Sequence, residues 1–242
     1  MQDRYTGDLG DVSKLGILRA LQTAGLSIGV NWYLTPDESH NGDGRHVKYL
    51  NQEEYKACDA ALWLELKNIV ESDHRKVCYL ESESILHADF YSERLDFTGK
   101  TKAERESIRK EWHSKARTAL AGNHIVCVDP DNGLIVPSAV GKPKENKYIL
   151  YDELADYYAQ QSSVIYYQHK ARKPDEFYLR QHEELIHSQN FPDARGLAMK
   201  FKTTSQRYYF FIIQPQHQTI IETAIKNMLS TAWSDHFMLF EF

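Results

Sequence analysis

The segment from Ile125 to Val128 most constrains how this chain can fold. Four consecutive apolar residues are typical of a strand that is buried on both faces of a sheet. Asp129-Pro130-Asp131-Asn132-Gly133 follows directly, and these residue types end a strand in a turn. In open α/β sheets, ligands bind outside the carboxyl ends of the strands, so two carboxylates and an amide there predict a functional site. The alternative interpretation is an ordinary strand-to-loop turn.

The composition indicates an ordinary globular chain. Its 242 residues are 42% hydrophobic and 26% charged, which suffices for one substantial core. A net charge of −5 excludes a strongly basic nucleic-acid coat but allows a local basic groove. Cys58, Cys78 and Cys127 form no C-x-x-C pattern, which predicts reduced core residues in a cytoplasmic protein. The apolar runs are too short for a membrane span, so we expect no membrane partner. Nothing in the sequence indicates an oligomeric state.

Apolar periodicities along the chain alternate between those of helices and those of strands. Helices are predicted over 11–24, 52–70, 101–120, 176–188 and 218–232, with a further one starting near 152. Strands are predicted over 28–34, 77–80, 125–128, 164–167, 208–213 and 238–242, the last two at sheet edges and one of them antiparallel. This alternation predicts a single α/β domain over 1–242, with a three-layer, Rossmann-like fold and a mostly parallel sheet. Residues 82–106 are a candidate for a small insertion.

The segment Tyr5–Lys14 carries two Gly-Asp pairs that lead into the first predicted helix. Backbone N–H groups point outward at a helix N-terminus, where they can meet a ligand. N-capping explains either Asp8 or Asp11, but not both. Lys14 shares a helical stripe with Leu18, so its amine either extends along that stripe to water or reaches into a pocket.

A different pattern resembles the PD…ExK motif of metal-dependent nucleases. Pro130-Asp131 precedes Glu145-Asn146-Lys147, and in such enzymes the carboxylates hold Mg²⁺ while the lysine steadies the attacking water or the scissile phosphate. The pattern is short, so chance matches are common. A further alternative is a catalytically inactive nucleic-acid-binding module. His182 and His187 lie five positions apart and face different sides of a helix, so they predict no zinc site, and we assign no metal ligand.

Taken together, three short segments resemble the class I S-adenosylmethionine-dependent methyltransferases, and most closely the bacterial large-subunit ribosomal RNA adenine methyltransferases. The family motifs are Gly-x-x-x-Asp-Val-x-Lys, then His-Ala-Gly-x-Gly-Arg, then Asp-Pro-Pro-Tyr. The matching residues are Gly7, Asp11, Val12 and Lys14, then His40, Gly42, Gly44 and Arg45, then Asp129 and Pro130. Asp131 and Asn132 replace the second proline and the aromatic residue, which in the family stacks on the flipped base.

The resemblance implies a methyltransferase-like enzyme that uses S-adenosylmethionine on a nucleic-acid or nucleotide substrate. The residues it implies for the cofactor are Gly7, Asp11, His40, Gly42, Gly44 and Glu81. Glu81, as the acid at the next strand end, would hold the ribose hydroxyls. The implied catalytic residues are Lys14, Asp129, Asp131 and Asn132, and Asp129 would accept a hydrogen bond from the target amine.

Chain topology gives a test of the shared site. Loops after neighbouring parallel strands meet at one edge of the sheet, so Gly7–Lys14, His40–Arg45 and Asp129–Asn132 are expected to line one pocket. Lys14 should then lie within reach of Asp129. Five basic residues would indicate a phosphate-bearing substrate if they cluster beside this pocket, namely Lys142, Lys144, Lys170, Arg172 and Lys173, whereas their absence would favour a small ligand.

Overall fold

Strands and helices alternate along the chain, and seven of the strands form one large sheet. The computed structural model describes residues 1–38, 44–203 and 206–242. The strands of the large sheet are β1 (Ile28–Asn31), β2 (Asp89–Tyr91), β3 (Ile125–Val128), β6 (Ser163–His169), β7 (Arg195–Phe201), β8 (Arg207–Ile213) and β9 (Phe237–Glu241). A small second sheet pairs β4 (Gly133–Leu134) with β5 (Tyr148–Ile149). The predicted α/β class is therefore confirmed.

Helices connect most of these strands. The α-helices in the described ranges are α1 (Leu9–Thr23), α2 (Glu53–Cys58), α3 (Ala60–Glu71), α4 (Lys102–Ala119), α5 (Tyr151–Ala159), α6 (Asp175–Ile186) and α7 (Gln218–Leu229). Short 3-10 helices cover Asp3–Tyr5, Lys48–Asn51, Val77–Tyr79, Pro143–Lys147, Pro215–His217 and Ala232–Asp235. None of the described helices is both long and apolar enough to cross a membrane.

The sheet combines a parallel half and an antiparallel half. Its strand order is β2-β1-β3-β6-β8-β7-β9, with parallel pairs from β2 to β6 and antiparallel pairs from β6 to β9. β3 lies in the interior and is parallel to both neighbours, as predicted. The expectation of a mostly parallel sheet therefore holds for one half only. The strand predicted at 208–213 is β8, which is interior and not at an edge, whereas β9 does form an edge.

Side chains that alternate along the strands enter two separate cores, one on each face of the sheet. Ile125 and Cys127 pack into a cluster with residues of α1, α3 and α7. Val126 and Val128 pack into a second cluster with residues of α4, α5 and α6. Because both faces of β3 are covered, its four residues are all buried, which explains its unbroken apolar run.

The region between β1 and β3 departs most from the prediction. The predicted strand at 77–80 is a 3-10 helix over Val77–Tyr79, and the strand that pairs with β1 is β2. The predicted helix 52–70 is two helices, because Asp59 has extended backbone and caps α3 by accepting a hydrogen bond from the Leu62 N–H at 2.9 Å. β7 was not predicted at all.

All three cysteines are free, but only Cys127 is a buried core residue, and Cys78 is exposed. The expectation that all three lie in the core is therefore wrong for Cys78, because the strand predicted around it does not form.

The chain changes direction across the sheet between β1 and β3. From β1 it passes to β2 on one side, and it returns to β3 on the other side of β1. Such a reversal leaves a crevice outside the carboxyl ends of the two strands, since the connections leave in opposite directions. Asn31 and Val128 end β1 and β3 at this crevice.

Candidate ligand-binding cleft

A cleft of about 1010 Å³ opens at this crevice. Its floor contains Asp129 to Asn132, together with side chains from the first turns of α1. Three further segments of the chain contribute wall residues, which lie within 35–38, 97–100 and 143–147. The volume and the position are those of a typical small-molecule site in an α/β protein.

Lys14 lies on the floor of the cleft between two carboxylates. Its Nζ donates to Asp11 Oδ1 at 2.9 Å and to Asp129 Oδ2 at 2.7 Å, and it lies 4.6 Å from the centroid of the Trp32 ring. Only 3% of Lys14 is exposed. Burial disfavours the charged form, but Asp11 and Asp129 outweigh that effect and raise the pKa of Lys14 above its usual range. The expected contact between Lys14 and Asp129 is therefore present, and Lys14 is a cation.

Asp11 fixes the turn that precedes α1. Its Oδ2 accepts a hydrogen bond from the Gly7 N–H at 2.8 Å, while its other oxygen binds Lys14. Gly7 has a φ of 77°, a left-handed conformation that favours glycine. Burial raises the pKa of Asp11 to about 6, although Lys14 opposes this shift. Asp11 lines the cleft, whereas Gly7, which was expected there, does not.

The backbone of β3 aims the Asp129 side chain into the cleft. The Asp129 N–H donates to Asn31 O at 2.9 Å, which extends the β1–β3 ladder by one residue. Asn132 is held by its backbone, since its N–H donates to Lys147 O at 3.0 Å and its carbonyl accepts from Gln168 Nε2 at 3.0 Å. Asp129 and Asn132 both line the cleft.

Asp131 is already engaged by several donors. Its Oδ2 accepts from Gln2 Nε2 at 2.7 Å and lies 3.9 Å from Lys147 Nζ. Its Oδ1 lies 2.6 Å from the amino group of Met1. Asp131 therefore joins the N-terminal segment to the wall that carries Lys147, and it lines the cleft with Asp129.

Sequence reasoning missed Gln2 and Arg207. Gln2 is fully buried, and its Oε1 accepts from Arg4 Nε at 2.8 Å and from the Glu38 N–H at 3.0 Å. Arg207 lines the cleft, is 5% exposed and packs against Gly10 so closely that a Cβ there would lie 2.2 Å from its Nη1. Neither residue belongs to a motif, and only tertiary contacts bring Arg207 to the cleft and Gln2 to Asp131.

The residues implied for the cofactor are only partly brought together. Gly44 lines the cleft with a φ of 81°, whereas His40 and Gly42 lie outside the described residues. Glu81 does not line the cleft, and its Oε1 accepts a hydrogen bond from Trp32 Nε1 at 3.0 Å. The placement of Glu81 at a strand end is wrong, because the residues before it form a 3-10 helix.

The residues of the nuclease pattern come together only in part, because Asp131 and Lys147 meet in the cleft but Glu145 does not line it. Lys147 Nζ lies 2.5 Å from Glu38 Oε1 and 3.9 Å from Asp131 Oδ2. Glu145 is absent from the cleft lining, and its carboxylate accepts a hydrogen bond from the Gly141 N–H. Within 1–38, 44–203 and 206–242, no three His, Cys, Asp or Glu side chains form a group that could hold a metal ion.

The charges on the cleft lining nearly balance. Of the five basic residues whose clustering would indicate a phosphate-bearing substrate, only Lys144 lines the cleft. The described basic residues on the lining are Lys14, Lys100, Lys144, Lys147 and Arg207, and the acidic ones are Asp8, Asp11, Asp37, Glu38, Asp129 and Asp131. This balance does not attract a polyanion in the way that a basic groove does.

Comparisons with known proteins give little beyond this. No family model matches the chain, and no curated protein does. Among solved structures, one match is the crystal structure of protein LPL1258 from Legionella pneumophila str. Philadelphia 1, described with the family DUF519. It shares 12% sequence identity and a TM-score of 0.39 with this chain, over 98% of this chain and 97% of that one.

Proposed function

We propose that this chain is a methyltransferase-like enzyme that uses S-adenosylmethionine and acts on an amine of a nucleotide or nucleic acid. The observation that carries the proposal is the Lys14–Asp129 ion pair on the floor of a cleft at the carboxyl ends of β1 and β3. Both residues belong to motifs that resemble those of the methyltransferase family. A cleft at a point of strand reversal is also where Rossmann-like sheets bind nucleotides.

The architecture supports this choice of fold family. Helices pack on both faces of the sheet, and the order β2-β1-β3-β6 runs outward from a reversal next to β1. We interpret this arrangement as a three-layer, Rossmann-like fold with an antiparallel extension of β8, β7 and β9.

The residues on the floor suit an amine-bearing substrate. S-adenosylmethionine, when bound, would supply the methyl group. An ionised carboxylate offers about four acceptor positions, so Asp129 can hold Lys14 and still accept a hydrogen bond from a target amine. Lys14 fixes the orientation of that carboxylate, since it is itself held by Asp11. Of the residues implied for the cofactor, Asp11 and Gly44 face the cleft, and Glu81 does not fit its ribose role.

Tyr167 can replace the aromatic residue that the family carries where this chain has Asn132. Val128 pairs with Tyr166 across β3 and β6, so Tyr167 is next to Asp129 in register. Tyr167 lines the cleft, and its ring lies 6.1 Å from that of Tyr209. We therefore assign stacking on the substrate base to Tyr167.

The balanced charge of the lining favours a nucleotide-sized substrate over a long strand. Binding of a polyanion gains most of its affinity from released counterions, which requires several unopposed cations. In this cleft the Lys14 and Lys147 ammonium groups are each paired with carboxylates. The protein can be incubated with methyl-labelled S-adenosylmethionine and either mononucleotides or total RNA. A larger labelled fraction of mononucleotides than of RNA would support the nucleotide-sized substrate.

Calorimetric titration with S-adenosylmethionine, with and without Mg²⁺, tests the function itself. Binding that does not need Mg²⁺ supports the proposal, and Tyr167→Ala should preserve it while methyl transfer is lost. Asp129→Asn should also lose methyl transfer, and its matched control is Asp152→Asn, which changes an exposed carboxylate on α5 and should leave the transfer unchanged. Plasmid cleavage that needs Mg²⁺ and is abolished by Asp131→Ala would instead indicate the nuclease. If the protein neither binds S-adenosylmethionine nor cleaves the plasmid, the catalytically inactive binding module is the remaining interpretation.

A further inference from the structure

A buried ion pair lies behind the walls of the cleft without lining it. Arg109 of α4 and Glu153 of α5 form two parallel hydrogen bonds, with Nε to Oε1 at 2.7 Å and Nη2 to Oε2 at 2.7 Å. Each residue is 4% exposed. Burial opposes both charges, but the pairing outweighs it, so the pKa of Glu153 is lowered and that of Arg109 is raised. The pair is therefore ionised, and its geometry is the bidentate one that only arginine offers.

Arg109 also holds the wall segment within 143–147. Its Nη1 donates to Glu145 O at 2.9 Å, and its Nη2 donates to Tyr148 O at 2.6 Å. These two carbonyls flank Asn146 and Lys147, and both of these residues line the cleft. One guanidinium therefore fixes both ends of this stretch of wall.

Glu153 holds the segment that leaves β1. Its Oε2 accepts a hydrogen bond from Tyr33 OH at 3.0 Å. Tyr33 has a φ of 45°, an unfavourable left-handed conformation for a residue with a side chain, and it precedes the wall residues Thr35–Glu38. The Tyr33 ring also packs edge-on against Trp112 of α4, with centroids 4.8 Å apart. The Arg109–Glu153 pair thereby reaches a second wall of the cleft.

Asn146 connects the third wall segment to the other two. Its Nδ2 donates to Leu95 O at 2.9 Å, and the Leu95 N–H donates to Leu34 O at 2.8 Å. Leu95 lies two positions before the segment 97–100, which lines the cleft. Hydrogen bonds thus join the three walls to one another.

On the basis of the proposed function, we propose that Arg109 is a positioning residue that couples the three cleft walls, so that ligand affinity depends on a residue that no ligand touches. We name Tyr33, Arg109, Asn146 and Glu153 the polar frame. Buried ion pairs are weak evidence for stability, since apolar replacements are often as stable, whereas they can fix one arrangement of the segments they join. The walls should therefore loosen together when the frame is broken.

Hydrogen exchange of the ligand-free protein tests the coupling directly. Arg109→Lys keeps the charge but loses the fork, and it should speed exchange by about tenfold or more over 33–38, 95–100 and 143–148, with β3 and β6 unchanged. The matched control is Arg19→Lys, because Arg19 also donates to a carboxylate and a carbonyl, at 2.7 Å to Asp59 Oδ2 and 2.6 Å to Ile85 O, away from the cleft. It should leave the three walls unchanged. Faster exchange in only one wall, or uniformly along the chain, would overturn the proposal.

A second variant covers the case in which Arg109→Lys fails to fold. Arg109→Met combined with Glu153→Leu removes both charges together, so no uncompensated charge is left in the core, and the same three walls should exchange faster. Titration with S-adenosylmethionine should then show weaker binding by about tenfold for the frame variants and unchanged binding for Arg19→Lys. If the wild type does not bind S-adenosylmethionine, the proposed function fails, whereas the exchange pattern still decides whether the walls are coupled.

Discussion

Lys14 Nζ lies 2.7 Å from Asp129 Oδ2, although 115 positions separate the two residues in the chain. The two meet because α1 begins at the crevice where β3 ends. Lys14 is almost fully buried, so its charge is compensated by carboxylates and hardly by water. This pair therefore links the stability of the fold to the chemistry of the cleft, and each can be measured separately.

Replacement of Lys14 by methionine should destabilise the fold strongly. The apolar stem is retained, but Asp11 and Asp129 lose the cation that lies 2.9 Å and 2.7 Å from their oxygens. Removal of one partner of a buried pair leaves an uncompensated charge and costs about 3–5 kcal/mol. Urea denaturation followed by circular dichroism gives the change in the free energy of unfolding.

The control for this prediction is Lys56→Met. Lys56 lies 3.2 Å from Glu53, but the two side chains are 45% and 84% exposed, so water screens the pair. Exposed pairs contribute about 0–1 kcal/mol, and Lys56→Met should stay within that range. Equal losses for the two variants would show that Lys14 is not held in a buried ion pair.

Asp11 should make stability depend on pH in the acidic range. Burial raises the pKa of Asp11 to about 6 in the folded protein, above its ordinary value of 3.8, so the folded state binds the proton more tightly. Its contribution to stability is therefore full below pH 3.8 and is lost as the pH rises to about 6. The corresponding change in the free energy of unfolding is about 3 kcal/mol.

Asp11→Asn isolates this effect, because asparagine does not titrate. The free energies of unfolding of wild type and Asp11→Asn should diverge between pH 4 and pH 6, with the wild type losing relative stability as the pH rises. Denaturant titrations at a series of pH values measure both curves. Parallel curves would contradict the raised pKa of Asp11.

The meeting of Lys14 and Asp129 could be predicted from sequence because it follows from topology. A buried strand that ends in acidic turn residues places Asp129 at the sheet edge, whatever the loops do elsewhere. The N-terminal motif places Lys14 in the second turn of a helix that starts there. These relations depend on residue type and spacing, which the sequence gives directly.

Other features of the cleft depend on tertiary contacts that leave no local pattern. β2 is three residues long, with only Tyr91 buried, so it lacks the alternation that identifies a strand, whereas the apolar residues of 77–80 suggest one. The strand predicted at 77–80 therefore put Glu81 at a strand end, where it does not lie. Gln2 acquires its role only when the N-terminal segment lies against Asp131 and Glu38. The polar frame joins three stretches that are distant in the chain, which contain Tyr33, Arg109, and Asn146 with Glu153.

His182 should make stability depend on pH in the direction opposite to that expected for Asp11. It is fully buried, stacks on Phe210 at 4.6 Å and has its Nδ1 3.0 Å from Tyr166 OH. Burial lowers its pKa from 6.5 to about 3, so the unfolded state binds a proton that the folded state excludes. The stability it contributes is present above pH 6.5 and is lost as the pH falls towards 3. His182→Phe should therefore flatten the acid limb of the stability curve relative to wild type. If the acid limb of the stability curve is the same in His182→Phe and wild type, the folded state binds a proton at His182 as readily as the unfolded state does.

Gly10 and Arg207 should behave as one unit in the cleft wall. A Cβ on Gly10 would lie 2.2 Å from Arg207 Nη1 and 2.8 Å from Asp8 Oδ1, so Gly10→Ala must displace a guanidinium that is 5% exposed. Alanine favours a helix over glycine by about 1 kcal/mol, but overpacking of a buried site costs about 1–3 kcal/mol, so a net loss is expected.

In the Arg207→Ala background the clash with the guanidinium is absent, and Gly10→Ala should then be less costly than in wild type. Thermal or urea unfolding of the four proteins gives the coupling energy of this double-mutant cycle. Strictly additive effects would mean that Arg207 moves aside freely and does not define the wall.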